Sequence, residues 1–448
     1  MGISYNNRGL SGRRLYVAVI AWLVLVLVGG FCTWYGWFRP GGESSEEVAE
    51  ATSTPEEAAA PTAEPTAVPP DPTPTAAAVL PTVTQAEEAF GYGIAINGTG
   101  GGDINYWMDQ VEGLGLGWAK QQVRWGYFEG NPGQMDWSGY DAVVDAANQR
   151  GIKVMLSVVE APHWSRTYFD DNVEVAPPDD LTLLADFMGR MVDRYQGRIH
   201  AIEVWNEQNL DREWDTAEGV NAERYVEMLR LAYQAIKSRD PNIIVISGAL
   251  SPAAGPWLDP NNSNRIIVMD DFEYLDQMIT AGLLNYCDCV GTHHNGINIP
   301  PSVDCDGTYQ DPDAQFRGYW DPPQPPHHSW CFKTTLEGYH EHIAAAGEDK
   351  PLCVTEFGWA TAEGFDGYPQ GFEFALDNTL EEQAQWDVEA FQLMRQWGFV
   401  RLAFLWNLNF SQLHGGLGPE SPNAPYGIID LQGIARPAFG AIGAMEKP

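Results

Sequence analysis

The sequence predicts an α/β fold, a (β/α)8 barrel running from residue 90 to residue 448. Three observations lead there. Eight short β-rich apolar runs alternate with amphipathic helical stretches, the rhythm of repeated βα units. The span of about 350 residues suits eight such units. No G-x-G-x-x-G phosphate loop follows the first run, as a doubly wound open sheet binding a nucleotide would have: the glycines at 98 and 100–102 run into Asp103 where the third glycine of that pattern belongs.

The runs are, in order, "GYGIAIN" (91–97), "KQQVRW" (120–125), "IKVMLSVV" (152–159), "HAIEVWNE" (200–207), "IIVISG" (243–248), "DCVGTHH" (288–294), "LCVTEFGW" (352–359) and "RLAFLWNLNF" (401–410). Between them lie helical patterns such as "SGYDAVVDAANQRG" and "NAERYVEMLRLAYQAIKSRD". Thr379 and Glu382 have the spacing of a capping box at a helix start. Gly151 and Gly398 fall where helices should end.

Two segments precede the barrel. In residues 1–40, Arg8, Arg13 and Arg14 lead into 24 uncharged residues, Leu15 to Phe38, followed by Arg39. That length suffices to cross a bilayer, and the basic leading flank predicts a cytoplasmic N-terminus with the rest exported. A cleaved signal peptide would have a shorter apolar region, and Cys32 follows Phe31 where a lipobox needs a small residue. Residues 41–89 are rich in Pro, Ala, Thr and Glu; ten acids and no Lys or Arg occur between 41 and 90. Such a segment buries too little apolar surface to fold and reads as an extended stalk.

The chain carries 25 basic and 61 acidic residues, a net charge of −36, which argues against nucleic acid or acidic polymers as partners. Its 17 Trp are numerous, and Trp faces stack well on sugar rings. Export permits disulfides. Cys305 and Cys331 flank a Pro-rich loop, and bridging them would contribute about 3 kcal/mol by loop closure. Cys353 is expected to be reduced inside the barrel. Cys287, Cys289, His293 and His294 have metal-ligand chemistry but no second paired-cysteine motif, so buried thiols are the reading, and no metal or cofactor is expected.

In (β/α)8 barrels the site lies at the C-terminal ends of the strands. The run ends place Arg124 and Trp125, then "EAPHW" (160–164), Asn206 and Glu207, His293 and His294, Glu356, and Trp406 and Asn407 around one rim. Glu207 and Glu356 end the fourth and seventh runs and should face each other. Two carboxylates in that position can break a glycosidic bond, one attacking the anomeric carbon and one moving the proton. Arg124 is expected to keep the nucleophile ionised. Strand alternation puts Glu203, Trp205 and Glu207 on one face, and Glu203 reads as structural. Glu160 is open between rim binding and structure.

These residues resemble a known family. "EVWNEQN" (203–209) and "VTEFGW" (354–359) are similar to the acid/base and nucleophile motifs of clan A retaining glycoside hydrolases, families 5 and 39 in particular. "VRW" with "DWSGYD" (136–141), "APHW" (161–164) and "PYGIIDLQGIARPAFGAI" (425–442) extend the likeness over most of 91–448. The resemblance implies Glu207 as general acid/base, Glu356 as nucleophile, Asn206 on the sugar 2-hydroxyl and Trp406 as the floor of the cleavage subsite. It also implies substrate contacts from His163, Trp164 and His293. Where many members hold the nucleophile with a Tyr, two residues past the sixth-strand His, this chain has Asn295.

The expected activity is thus retaining hydrolysis of β-linked neutral glycans by a membrane-tethered enzyme. A surface protein that binds sugar without turnover and a transglycosidase are the rivals. The loops at 296–332 and 360–378, with Tyr309, Phe316, Tyr319, Trp320 and Trp330, suggest tall cleft walls.

Overall fold

In a computed structural model of the chain, the described residues are 90–168, 175–309, 311, 326–412 and 418–447. The anchor expected over 1–40 and the stalk over 41–89 lie outside them, as do Phe316, Tyr319 and Trp320. Among the described residues no helix is long and apolar enough to cross a membrane.

Eight parallel strands form the expected barrel: β1 (Gly91–Ile96), β2 (Trp118–Arg124), β3 (Lys153–Val159), β4 (Ala201–Asn206), β5 (Ile244–Ala249), β8 (Val290–Gly296), β9 (Leu352–Trp359) and β10 (Val400–Leu405). Their order in the sheet is β5-β4-β3-β2-β1-β10-β9-β8. A hairpin, β6 (Trp257–Asp259) with β7 (Asn262–Val268), is inserted after β5. The two ends of the sheet meet through bridges from Ile246 to Cys289 and from Leu250 to Thr292. Gly291 lies in that seam; a Cβ there would stand 2.0 Å from the Ser247 carbonyl oxygen, so a side chain would pry the barrel open. Each barrel strand leads to a helix. The helix Ala222–Lys237 shows why: Tyr225, Leu229, Ala232 and Ile236 recur at helical spacing and are buried against the strands, and Asn221 caps the start by accepting from Arg224 N at 2.9 Å. The capping box of Thr379 and Glu382 forms, and Gly398 ends that helix at φ +75°.

Inside the barrel, side chains stack in layers because every second residue points inward. Trp118, Met155, Ala201 and Cys353 belong to an apolar layer. Two residues further along the same four strands stand Lys120, Ser157, Glu203 and Thr355, all buried and all polar. The floor of the rim is thus a charged layer resting on an apolar one.

The cysteines pair differently from the expectation. Cys305–Cys331 forms as anticipated, with Cα atoms 5.6 Å apart. Cys353 is not a free thiol: it is joined to Cys289, Cα atoms 5.7 Å apart. The reason is register. Gly291 pairs with Cys353, so Cys289, two residues earlier, shares its inward face on the neighbouring strand. Cys289 therefore offers no metal ligand with Cys287. Cys287 remains a buried free thiol, its pKa pushed by burial up to about 12.

Thiol labelling of the denatured, unreduced chain, mapped by peptide, should therefore tag Cys287 and spare Cys289, Cys305, Cys331 and Cys353. A label on Cys353 would restore the original assignment.

Candidate active site at the C-terminal ends of the strands

β4 delivers three polar side chains in five residues, and it does so by leaving regular geometry. Trp205 has φ +80° and Glu207 φ +45°, left-handed values that a non-glycine residue holds only under constraint from its surroundings. Strict alternation would have put Trp205 on the face of the two glutamates. Instead Trp205 packs edge-on to Trp214, ring centroids 5.9 Å apart, and donates its indole N–H to the Glu213 carbonyl at 2.8 Å. Glu203 and Glu207 reach the same buried ring, His293. Glu160, ending the strand run before, also has positive φ, +60°.

His293, from β8, joins the acids. Its Nδ1 lies 3.2 Å from Glu207 Oε1, and its Nε2 3.8 Å from Glu356 Oε1 and 4.0 Å from Glu203 Oε1. The ring is 0% exposed, so it sits among the carboxylates rather than at the rim in contact with substrate as the resemblance implied. Burial works against its cationic form, and so does the Lys120 charge, but Glu356 and the hydrogen-bonded Glu207 more than offset them and raise its pKa.

The cation beside Glu356 is Lys120, not Arg124. Lys120 Nζ lies 2.9 Å from Glu356 Oε1 and 3.2 Å from Glu203 Oε2, and the ammonium also donates to the Thr355 carbonyl at 3.2 Å. Burial alone would lower the Lys120 pKa; Glu203 and Glu356 raise it. Glu203 is fully buried, which opposes its charge, yet Lys120 and His293 hold its carboxyl below the usual range. It accepts from Thr355 Oγ1 at 2.6 Å as well. Its structural role follows from these contacts: it shares a cation with Glu356. Arg124, half-exposed and four residues beyond Lys120, pairs instead with Glu160 at 2.8 Å. Lys120 and Arg124 have the same strand parity, which is the signal that would have brought Lys120 forward.

Glu207 has its own cation, Arg212, which the sequence reading missed. The guanidinium pairs with Glu207 Oε2. Burial pushes the Glu207 carboxyl up, but the Arg212 charge and the His293 hydrogen bond outweigh it and hold the group well below the usual carboxylate range. The Arg212 side chain is 63% exposed. Beside it, Glu213 behaves in the opposite way: burial, aided by the Glu207 charge, pushes its carboxyl up to about 8.

The remaining expected residues are placed as follows. Asn206 is buried, and its Oδ1 has no hydrogen-bond partner among the described residues. Trp406, 8% exposed, has its ring centroid 5.9 Å from Lys120 Nζ and packs with Phe374, Ala375 and Tyr426. Phe374 and Ala375 of the 360–378 loop thus belong to the same buried apolar cluster as Trp406. Burial, aided by the charges of Glu207 and Glu356, raises the pKa of Tyr426. Trp164 is partly buried, its indole N–H donating to the Glu129 carbonyl at 2.8 Å. His163 is exposed.

No protein-family model and no curated protein matches the sequence. Solved structures do match. One is a family 39 glycoside hydrolase from the gut symbiont Bacteroides cellulosilyticus WH2, at 17% identity and TM-score 0.54, over 80% of this chain and 64% of that one. Another is a family 39 β-xylosidase from Caulobacter crescentus, at 21% identity and TM-score 0.52, over 80% of this chain and 71% of that one. A third is a glucosidase from Croceicoccus marinus, at 13% identity and TM-score 0.51, over 80% and 66%. This chain thus spans less than two thirds of the first of them, and what is common is the barrel fold.

Replacing Lys120 by Met should leave Glu203 and Glu356 buried without their cation. The expected loss is about 3–5 kcal/mol, read by urea unfolding at pH 7; a loss below about 1 kcal/mol would remove Lys120 from its central place.

Glu213 gives a pH test. Its folded pKa, about 8, lies above the ordinary 4.5, so the folded state holds a proton that the unfolded chain releases. Its contribution to stability is present below about pH 4.5 and is lost as pH rises through 8. Glu213→Gln should therefore raise Tm at pH 8.5 more than at pH 5. An equal effect at both pH values would show that Glu213 ionises normally.

Proposed function

We propose that this chain is a glycoside hydrolase that cleaves β-linked neutral glycans by double displacement, with Glu356 as nucleophile and Glu207 as general acid/base. The observation that carries this reading is the pairing of the two acids, one just past β4 and one within β9, through one buried imidazole. Each acid has a separate cation. Lys120, buried and held in place by two carboxylates, fixes the Glu356 carboxyl in position to attack. Arg212, largely exposed, sits on Glu207 where an incoming sugar can displace it. Losing that charge raises the Glu207 pKa toward what a proton donor needs.

The reaction then runs in two steps. Glu356 attacks the anomeric carbon while Glu207 protonates the departing oxygen. Glu207, now ionised, takes a proton from water, which attacks the same carbon and releases Glu356. The unpartnered Asn206 Oδ1 accepts from the sugar 2-hydroxyl, and Trp406 supplies an apolar floor beside Lys120. The fold shared with glycoside hydrolases is consistent with this assignment. An exported location, tethered by residues 15–38, is supported by that apolar run and by two disulfides, which persist in oxidising compartments. One observation favours the rival reading of a sugar-binding protein without turnover: Arg212 and His293 hold the Glu207 carboxyl well below the usual range.

Two variants and two substrates decide. Glu356→Ala should abolish turnover of both a β-linked polysaccharide and a dinitrophenyl glycoside. Glu207→Ala should lose about 10²–10⁴-fold on the polysaccharide, whose leaving group needs the proton, and retain formation of the intermediate from the activated glycoside. Equal loss on both substrates would reverse or cancel the assignment. Wild-type protein that binds oligosaccharides and cleaves neither substrate would establish the binding protein.

A further inference from the structure

Away from the acids, two loops of the same barrel face bring histidines and aspartates together. Asp270 and Asp271 open the helix Asp271–Thr280, which follows β5 and its hairpin. His327 and His328 lie in the loop after β8, immediately before Cys331 and the helix Phe332–Ala345. One donor atom each from Asp270, His327 and His328 falls within 4.8 Å of the others.

We propose that Asp270, His327 and His328 form a binding site for a divalent transition metal of zinc type, which ties the loop after β8 to the loop after β5. Two imidazoles and one carboxylate are the donor set of such ions, whereas calcium and magnesium favour all-oxygen shells. The surroundings prepare the donors. Asp270 Oδ1 caps the helix, accepting from Phe272 N at 2.9 Å and Glu273 N at 3.0 Å, which directs Oδ2 to His327 Nε2 at 2.8 Å. His327 Nδ1 is 2.9 Å from Ser329 Oγ. His328 has Nε2 on Asp271 Oδ1 at 2.9 Å, the carboxylate partner that metal-bound histidines ordinarily keep, and leaves Nδ1 for the ion. Phe272 stacks on the His328 ring, centroids 3.6 Å apart and planes within 3°, fixing its orientation. Asp271 is 0% exposed, and its Oδ2 has no hydrogen-bond partner among the described residues. Asp271 Oδ1 also accepts from Ala253 N at 3.2 Å, so the carboxyl is held in place behind His328. His327 is 33% exposed, so the cluster is open to solvent at that residue. Cys305–Cys331 holds the loop from the other side, so the metal and the disulfide would clamp the same segment.

The test is zinc titration of the metal-stripped full-length chain in detergent, by calorimetry and thermal unfolding. One equivalent should bind with micromolar affinity or better and raise Tm. His327→Ala should weaken binding by at least ~100-fold and Asp271→Asn by about 10–100-fold. Asp270→Asn should also weaken it while keeping the helix cap, because Asn caps as well as Asp; it serves if His327→Ala fails to fold. Glu207→Gln/Glu356→Gln should bind zinc as the unaltered chain does. No binding by the unaltered chain overturns the proposal. So does zinc binding that survives His327→Ala and Asp270→Asn, or that disappears in Glu207→Gln/Glu356→Gln, since the metal would then sit elsewhere.

Discussion

Everything at the rim depends on one ammonium group without water. Lys120, 1% exposed, is placed between Glu203 and Glu356, and each partner makes burial of the others tolerable. An isolated buried charge costs several kcal/mol in practice, so the three stand or fall as a unit. The constraint propagates outward. Glu203 is needed because a single carboxylate would tie Lys120 to Glu356 alone; with two, the ammonium is fixed from both sides and Glu356 is held in place within β9. His293 packs under the same group and adds Glu207 to it. The positive φ values at Trp205 and Glu207 are a conformational expense borne where the reacting groups must converge.

The two acids are treated asymmetrically by their neighbours, and this asymmetry is what distinguishes their roles. Glu356 faces a cation that cannot leave. Glu207 faces one that is 63% exposed and can swing into water. A nucleophile must stay ionised through the cycle, while an acid/base must gain and lose a proton; a fixed partner suits the first and a displaceable one the second. Glu213, with its raised pKa, adds a carboxyl that stays protonated at neutral pH and so does not add a further negative charge to the cluster.

Much of the architecture could be read from the sequence, because it follows from local rules. The eight strands, the capping box at Thr379, the glycine at 398 and the stapled loop between Cys305 and Cys331 each follow from spacing along a few residues or one loop. So did the acids at 207 and 356, which end recognisable strands. What escaped depends on who faces whom across the barrel. Lys120 meets Glu356 from 236 residues away, and Cys289 meets Cys353 only once the register of β8 on β9 is known. Arg124 shares the strand parity of Lys120 and ends the strand, so strand periodicity points to it first, whereas the structure leaves it half-exposed on Glu160. Arg212 lies past a bend whose direction is set by left-handed residues that strand periodicity does not anticipate. The Asp270 and His327 cluster joins two loops that carry no shared motif.

The lone thiol left over has a consequence for how the chain survives oxidative folding. Cys287 lies two residues from Cys289, close enough in sequence to attack the Cys289–Cys353 bond and scramble it. Exchange proceeds through the thiolate. With its pKa near 12, only about one Cys287 in 10⁵ is ionised at pH 7. Once the barrel has closed around it, the sulfur best placed to undo the cross-link is chemically silenced by the burial that the cross-link helps maintain.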